Sequence, residues 1–442
     1  MKLLNALLIL FFLNSCSFDD KSGIWKNEND KIKEEKDIFK DFKKVTSFEE
    51  SFNEIIPFSK KTIIQISKPV ISEKWNDIHY DFNNNLKNFQ YNDVYQVILK
   101  SKKLSKHKVN DYLLFSNNHL IINDEKGNII IYSINKRKII TKFNFYKKKY
   151  KKIKKNLNLI VEKDIVYISD NVGYLYAINY KTGNIIWAKN YKIPFRSNLK
   201  IINDQLIAAN QNNYLYFFNK KNGESIKFIP TEETIIKNSF INNLSIDNEK
   251  SIFFLNTYGS LYSIDIKTLK INWFINLNQS TDINPSSLFD SVEIVSNKSK
   301  VLISSINKTF IIDSKLGLII DKFNFSPLFR PIINKNYVFL ITKNNLLISI
   351  DLNTSKILYS LDINDQIANF LNLNKKEVKI KSFMLVNNEI IIFLKNSYIL
   401  NFKINGTLRS VRKLPFKLIS FPIIIDNSFY FLNNKNKLII MN

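Results

Sequence analysis

Cysteine occurs once, histidine three times, methionine three times and glycine eight times in 442 residues, and these shortages close off whole classes of chemistry. A single thiol forms no internal disulfide and builds no cysteine-based zinc site. The three histidines, His79, His107 and His119, follow no HExxH spacing and read as turn or strand residues. The chain contains neither a glycine-rich phosphate loop nor a Gly-x-Ser-x-Gly elbow. Asp351-Leu-Asn353 and Asp362-Ile-Asn364 echo the opening of a calcium loop but lack its glycine and terminal glutamate, so they read as turns. Acidic residues are outnumbered 39 to 65 by lysine and arginine, and they recur at no spacing that would pair a general acid with a general base. The expectation is no catalytic residue, no metal site and no cofactor.

Beyond the first residues no apolar stretch is long enough to cross a bilayer as a helix. The first residues are different. Met1 to Leu13 is a short basic region followed by an apolar run, the pattern of a cleaved export signal. It ends in Leu13-Asn-Ser-Cys16, which resembles a bacterial lipobox. That resemblance implies removal of residues 1–15, a diacylglycerol thioether on Cys16 and an acylated, typically palmitoylated, amino terminus. Several acyl chains on one residue exceed what stable anchoring requires. Ser17 next to the anchor resembles outer-membrane lipoproteins, since Asp there commonly marks retention in the inner membrane. The plainer reading is an ordinary signal peptide with an incidental cysteine.

A net charge of +26 and a pI near 9.6 would suit nucleic-acid binding, but an exported chain does not meet nucleic acid. Ile, Asn, Lys and Phe dominate the composition, as an A/T-biased genome encourages. The densest basic run, Lys147 to Lys155, reads either as a contact with anionic headgroups or an acidic partner, or as a solvated loop. Residues 16–68 form the lipidated cysteine and a tether; the charge-dense stretch Asn27 to Lys44 is a short helix or part of that tether.

What the chain does have is a repeat. Val172-Gly-Tyr-Leu-Tyr-Ala-Ile-Asn-Tyr-Lys-Thr-Gly-Asn-Ile-Ile-Trp187 recurs, weakened, from Tyr258 to Trp273. Equivalents of its Leu-Tyr-Ala-Ile core start at Ile131, Leu175, Leu215, Leu261, Phe310, Leu347, Ile399 and Leu438, with gaps of 44, 40, 46, 49, 37, 52 and 39 residues. A period of about 44 residues is that of a four-stranded propeller blade. Within a unit, short β-branched and aromatic runs alternate with Asn, Asp and Gly turns, the signature of antiparallel hairpins. With so few glycines, Asn212-Asn213, Asn344-Asn345 and Asn433-Asn434 are expected to supply turn conformations elsewhere. Trp187 and Trp273 are expected to fill the gap between neighbouring blades.

The last copy, Phe421 to Met441, stops before its Trp-bearing strand, while Val70 to His79 carries a Trp (Trp75) with no hairpin before it. Pairing these ends closes a ring without an open edge. The expected fold is therefore an all-β, eight-bladed propeller of four-stranded antiparallel blades over residues 69–442, closed by an N-terminal strand pairing with the last blade.

The unit Gly-x-Leu-Tyr-Ala-Ile-x-x-x-Thr-Gly-x-x-x-Trp resembles the repeat of pyrroloquinoline-quinone-type propellers. One branch, the quinoprotein dehydrogenases, is larger, holds its cofactor in the central funnel beside calcium, and often carries a vicinal disulfide that this chain lacks. The lipobox, tether, Trp-bearing N-terminal strand and truncated last unit resemble instead the BamB-like lipoproteins. That resemblance implies a non-enzymatic scaffold on the periplasmic face of the Gram-negative outer membrane. Its partners would be the POTRA domains of BamA, other subunits of the β-barrel assembly (BAM) complex and nascent barrel proteins. It also implies two docking loops. Ile236 and Lys237 stand where the family has a Leu-Arg pair. Ser280-Thr-Asp282-Ile283 and Asp290 match its second loop, with Val292 in place of a further Asp. A pyrroloquinoline-quinone-dependent dehydrogenase and an envelope propeller lipoprotein serving cell-wall or polysaccharide assembly are the alternatives, since fold does not fix function.

Overall fold

The computed structural model describes residues 16–18, 25–27, 52–146, 150, 152–233, 242–247, 250–278 and 289–442. It divides into two compact units, Met1–Glu50 and Ser51–Asn442. In the first unit Cys16–Phe18 pairs antiparallel with Trp25–Asn27. The stretch from Asn27 to Lys44 lies, after its first residue, outside the described residues.

The second unit is an eight-bladed β-propeller. Blades 1 to 7 are consecutive sheets over residues 114–144, 157–190, 200–229, 243–276, 295–323, 332–362 and 380–413, each a four-strand meander numbered from the hub outward. Blade 8 combines Ile423–Ile425, Ser428–Leu432 and Lys437–Met441 with Val97–Lys103. In blade 2 the strands Leu157–Glu162, Ile165–Asp170 and Tyr174–Asn179 are buried almost throughout, whereas Ile185–Asn190 is mostly exposed. The inner strands are covered by a neighbouring blade on both faces, and so read as continuous apolar runs. The outer strand flares away and keeps polar residues. A register shift recurs between the third and fourth strands, at Ala177/Ile178, Phe217/Phe218 and Ser263/Ile264 among others, and adds the twist that stacked blades need.

The Asn-for-Gly expectation holds in part. Gly127, Gly173 and Gly259 occupy positive φ between the second and third strands of their blades, and Asn213 and Asn345 take that role in blades 3 and 6. In blade 8 the residue is Asn436 rather than Asn433 or Asn434; Asn433 instead accepts the amides of Lys435 and Lys437 through its side chain.

Trp187 and Trp273 bridge blades as expected. The Trp187 ring lies against Gly223 of blade 3, and Trp273 against Gly317 of blade 5. Their Nε1 atoms donate to Lys220 O (2.9 Å) and Ser314 O (3.2 Å).

Two expectations about the N-terminus are corrected. The ring is closed by an N-terminal strand, but that strand is Val97–Lys103, which pairs with Lys437–Met441. Val70 to His79 goes to the hub. There Trp75 exchanges backbone hydrogen bonds of 2.8 Å with Phe115, and its ring packs on Tyr80 and Phe89. A buried Trp marked that segment as a blade strand, whereas the true closing strand is lysine-rich and mostly exposed, as suits an outer edge.

The assignment of residues 52–68 to a tether is also revised. Phe52 N donates to Asn324 O, and Ile56 pairs with Ser360 on the outer strand of blade 6. Phe58 packs edge-on against buried Tyr359, and Ser67 N donates to Asn334 Oδ1 at 2.7 Å. These residues strap the body from its rim to its hub.

Candidate docking face and the filled hub

Because strand direction alternates, every blade-to-blade connection emerges at one end of the propeller, together with each turn between second and third strands. This connection face carries the loops in question. After blade 3 the chain is pinned at Glu232, whose carboxylate accepts from Asn256 Nδ2 (2.6 Å) and Ser260 Oγ (2.8 Å). Asn213 Nδ2 binds Glu232 O as well. After blade 4 the chain returns at Phe289, whose N–H donates to Thr257 O and whose ring covers Gly259. Both anchors therefore seize the same turn, Asn256-Thr257-Tyr258-Gly259, from opposite sides. Asp290 follows Phe289 directly and is exposed. Ile236, Lys237 and Asp282 lie outside the described residues. The described residues before the first of these loops and on both sides of the second are bonded to this turn, Leu277 N donating to Gly259 O and Phe289 N to Thr257 O.

The hub holds a second constellation. Residues 70–90 cross the middle of the ring and bond to the innermost strands. Asn76 O accepts from Val161 N, and Asn84 Nδ2 donates to Leu244 O and Ile294 O, both at 2.8 Å. Asn85 exchanges hydrogen bonds with Ile333, and Asn88–Phe89 adds a parallel strand to Leu385 and Val386. Lys200, fully buried, donates to Asp77 Oδ2 (2.6 Å), Asn84 Oδ1 (2.6 Å) and Asp81 O (3.0 Å). Burial pulls its pKa down, and Asp77 opposes that shift.

Beside this pair, Arg330 Nη1 lies 2.6 Å from His79 Nδ1, and Tyr112 OH donates to Glu293 Oε1 at 2.9 Å. Burial, then the charges of Arg330 and Lys200, hold His79 well below its usual pKa, so its Nδ1 is free to accept. Burial and Glu293 push Tyr112 up. Lys381 pairs with Asp111 at 2.7 Å and sits over the Phe421 ring.

This cluster was not foreseen. Its one sequence signal is the polar density of Trp75-Asn-Asp-Ile-His-Tyr-Asp-Phe-Asn-Asn-Asn85, more than an outer blade strand would carry. His119 does lie in a strand and His107 in a bend, as expected. Asp351 closes a turn through Asn353 N, while Asp362 caps the helix Ile363–Leu371 and pairs with Lys375.

No family model matches the chain, and no curated protein matches it. Solved structures do match. BamB from Moraxella catarrhalis superposes with a TM-score of 0.61 at 12% identity, covering 79% of this chain and 100% of that one. The fold is that of a BamB-like propeller. A computationally designed protein, Ika8, gives 0.59 at 12% identity, covering 78% of this chain and 99% of its own. Quinohemoprotein alcohol dehydrogenase from Comamonas testosteroni gives 0.59 at 10% identity, over 84% and 81%. The likeness is one of architecture. A quinone held in the funnel, as the dehydrogenase branch would require, does not fit the residues present here. Trp75, Asn84, Asn88 and Phe89 are buried in that space and already bonded to the inner strands.

Proposed function

We propose that this protein is a non-enzymatic, lipid-anchored scaffold of outer-membrane β-barrel assembly, docking the POTRA region of a BamA-type subunit through its connection face. The supporting observation is the shared anchorage of two connections, by Glu232 and Phe289, on one turn of blade 4. Loops held on a rigid sheet lose little freedom when a partner binds, so their contacts translate into affinity. Asp290, with Ile236, Lys237 and Asp282 in the flanking loops, would meet the partner; Lys237 supplies charge without the bidentate geometry of arginine. Cys16 would carry the acyl anchor and hold the body at the periplasmic face of the outer membrane. Other assembly subunits and nascent barrel strands are the further partners of this reading.

The test is photo-crosslinking in cells from positions 236, 237, 282 and 290, with Lys267 on the opposite face as control. Recovery of a POTRA-bearing protein from the first four and not from the control is the expected result. Recovery of a cell-wall or polysaccharide-assembly protein instead would replace this partner with another.

A further inference from the structure

The basic excess of the chain is not spread evenly. On the connection face of blades 8, 1 and 2 stand Lys106, Lys108, Lys126, Lys154, Lys417 and Lys435, all exposed. Backbone and amide hydrogen bonds link their loops into one continuous arc. Asn434 N donates to Lys417 O, and Asn436 Nδ2 donates to Ser105 O and His107 O. Glu125 N donates to Lys108 O, and Lys155 N donates to Glu125 O. None of the six lysines is in an ion pair among the described residues. The acids nearby are mostly engaged: Asp124 binds Ser105 and Asn128, and Asp170 binds Tyr146 and the amides of Val172 and Tyr174. Glu125 alone interrupts the arc. On the opposite face Lys181 pairs with Asp164 and Lys220 with Glu162, both at 2.9 Å, while Lys136, Lys163 and Lys267 are exposed and in no ion pair among the described residues.

The segment leading back to Cys16 joins the body on the same connection face. Phe52 N binds Asn324 O in the connection after blade 5, and Asn344 Nδ2 binds Asn53 Oδ1 at 2.8 Å.

We infer that the lysine arc of blades 8, 1 and 2 is a docking surface for an anionic phospholipid bilayer. This rests on the proposed anchor at Cys16 only for its delivery to the membrane. A rigid arc of ammonium groups without ion pairs among the described residues, on the face where residues 52–53 enter the body, supplies the second, electrostatic signal that lipid-anchored proteins use. Blades 3 to 5, which carry the acids Glu232 and Asp290, lie on the remaining part of that face and stay available to a protein partner.

The test places a fluorophore on the full chain at Lys154→Cys or, for the opposite face, at Lys267→Cys. Vesicles of phosphatidylcholine, with or without phosphatidylglycerol and carrying a nitroxide-headgroup quencher, report proximity. Quenching at 154 that needs phosphatidylglycerol, falls with salt and is absent at 267 is the expected result. Lys106→Glu, Lys108→Glu and Lys126→Glu together should weaken vesicle affinity by about a hundredfold, at roughly fivefold per lysine. Quenching at both faces alike, quenching indifferent to phosphatidylglycerol, or shielding of 154 only by an added acidic protein would each overturn it. Intact mass reports acylation of Cys16 separately; where Cys16 is not acylated, Cys16→Ser removes its thiol before labelling, and the vesicles are added in solution, so a missing anchor leaves the arc's result readable.

Discussion

Lys200 Nζ lies 2.6 Å from Asp77 Oδ2, with both side chains buried at the centre of the ring. The pair joins the innermost strand of blade 3 to the segment that crosses the hub. Two charges taken out of water persist only when their remaining hydrogen-bonding capacity is met, and here Asn84 Oδ1 and Asp81 O complete the ammonium's shell. The segment crossing the hub is thereby locked to the ring.

Lys200→Met should cost about 3–5 kcal/mol, because Asp77 is left buried without its partner. Adding Asp77→Asn to that variant should recover part of the loss. Chemical denaturation of the two single variants and the double variant measures the coupling; additive effects would mean the pair does not hold that segment.

His79 makes stability depend on pH. Its folded pKa lies well below 6.5, so the unfolded chain binds the extra proton first on acidification. The contribution is complete above about 6.5 and is lost progressively below it, down to the folded value. Melting temperature should fall between pH 7 and pH 5, and His79→Gln should flatten that part of the profile. An unchanged slope would show that another group controls it.

Gly223 has φ +73°, and a Cβ there would sit 2.4 Å from the Trp187 ring. Gly223→Ala should destabilise by about 1–3 kcal/mol through overpacking, beyond the conformational strain. In a Trp187→Leu background the penalty should shrink, since the obstructing ring is gone. Equal penalties in both backgrounds would separate the two residues.

Leu99 is the register partner of Ile440 across the ring closure. Leu99→Cys with Ile440→Cys should form a disulfide on oxidation, detectable by mass, and raise stability by about 2–4 kcal/mol. A cysteine at position 75 in place of Trp75 should not link to position 440.

Much of this was legible in the repeat. Turn residues, apolar runs and the period of the Leu-Tyr-Ala-Ile core follow from local rules, and they yielded eight blades and the bridging role of Trp187. Closure was harder. Val97–Lys103 has an edge strand's composition, and edge strands resemble loops, whereas Trp75 resembled a blade marker because buried aromatics look alike in any core. Of the residues expected to dock a partner, Asp290 is exposed beside the blade 4 turn, and its companions fall outside the described residues.

Short-range chemistry therefore carried the architecture: the alternation of β-branched runs with Asn and Gly turns specifies each blade whatever lies around it. Long-range contacts settled the rest. The meeting of Lys200 with Asp77, of Arg330 with His79, and of Glu232 with the blade 4 turn joins residues far apart in the chain. Nothing local to either partner encodes such a meeting, because it arises when the ring closes and the N-terminal strap is drawn into its centre.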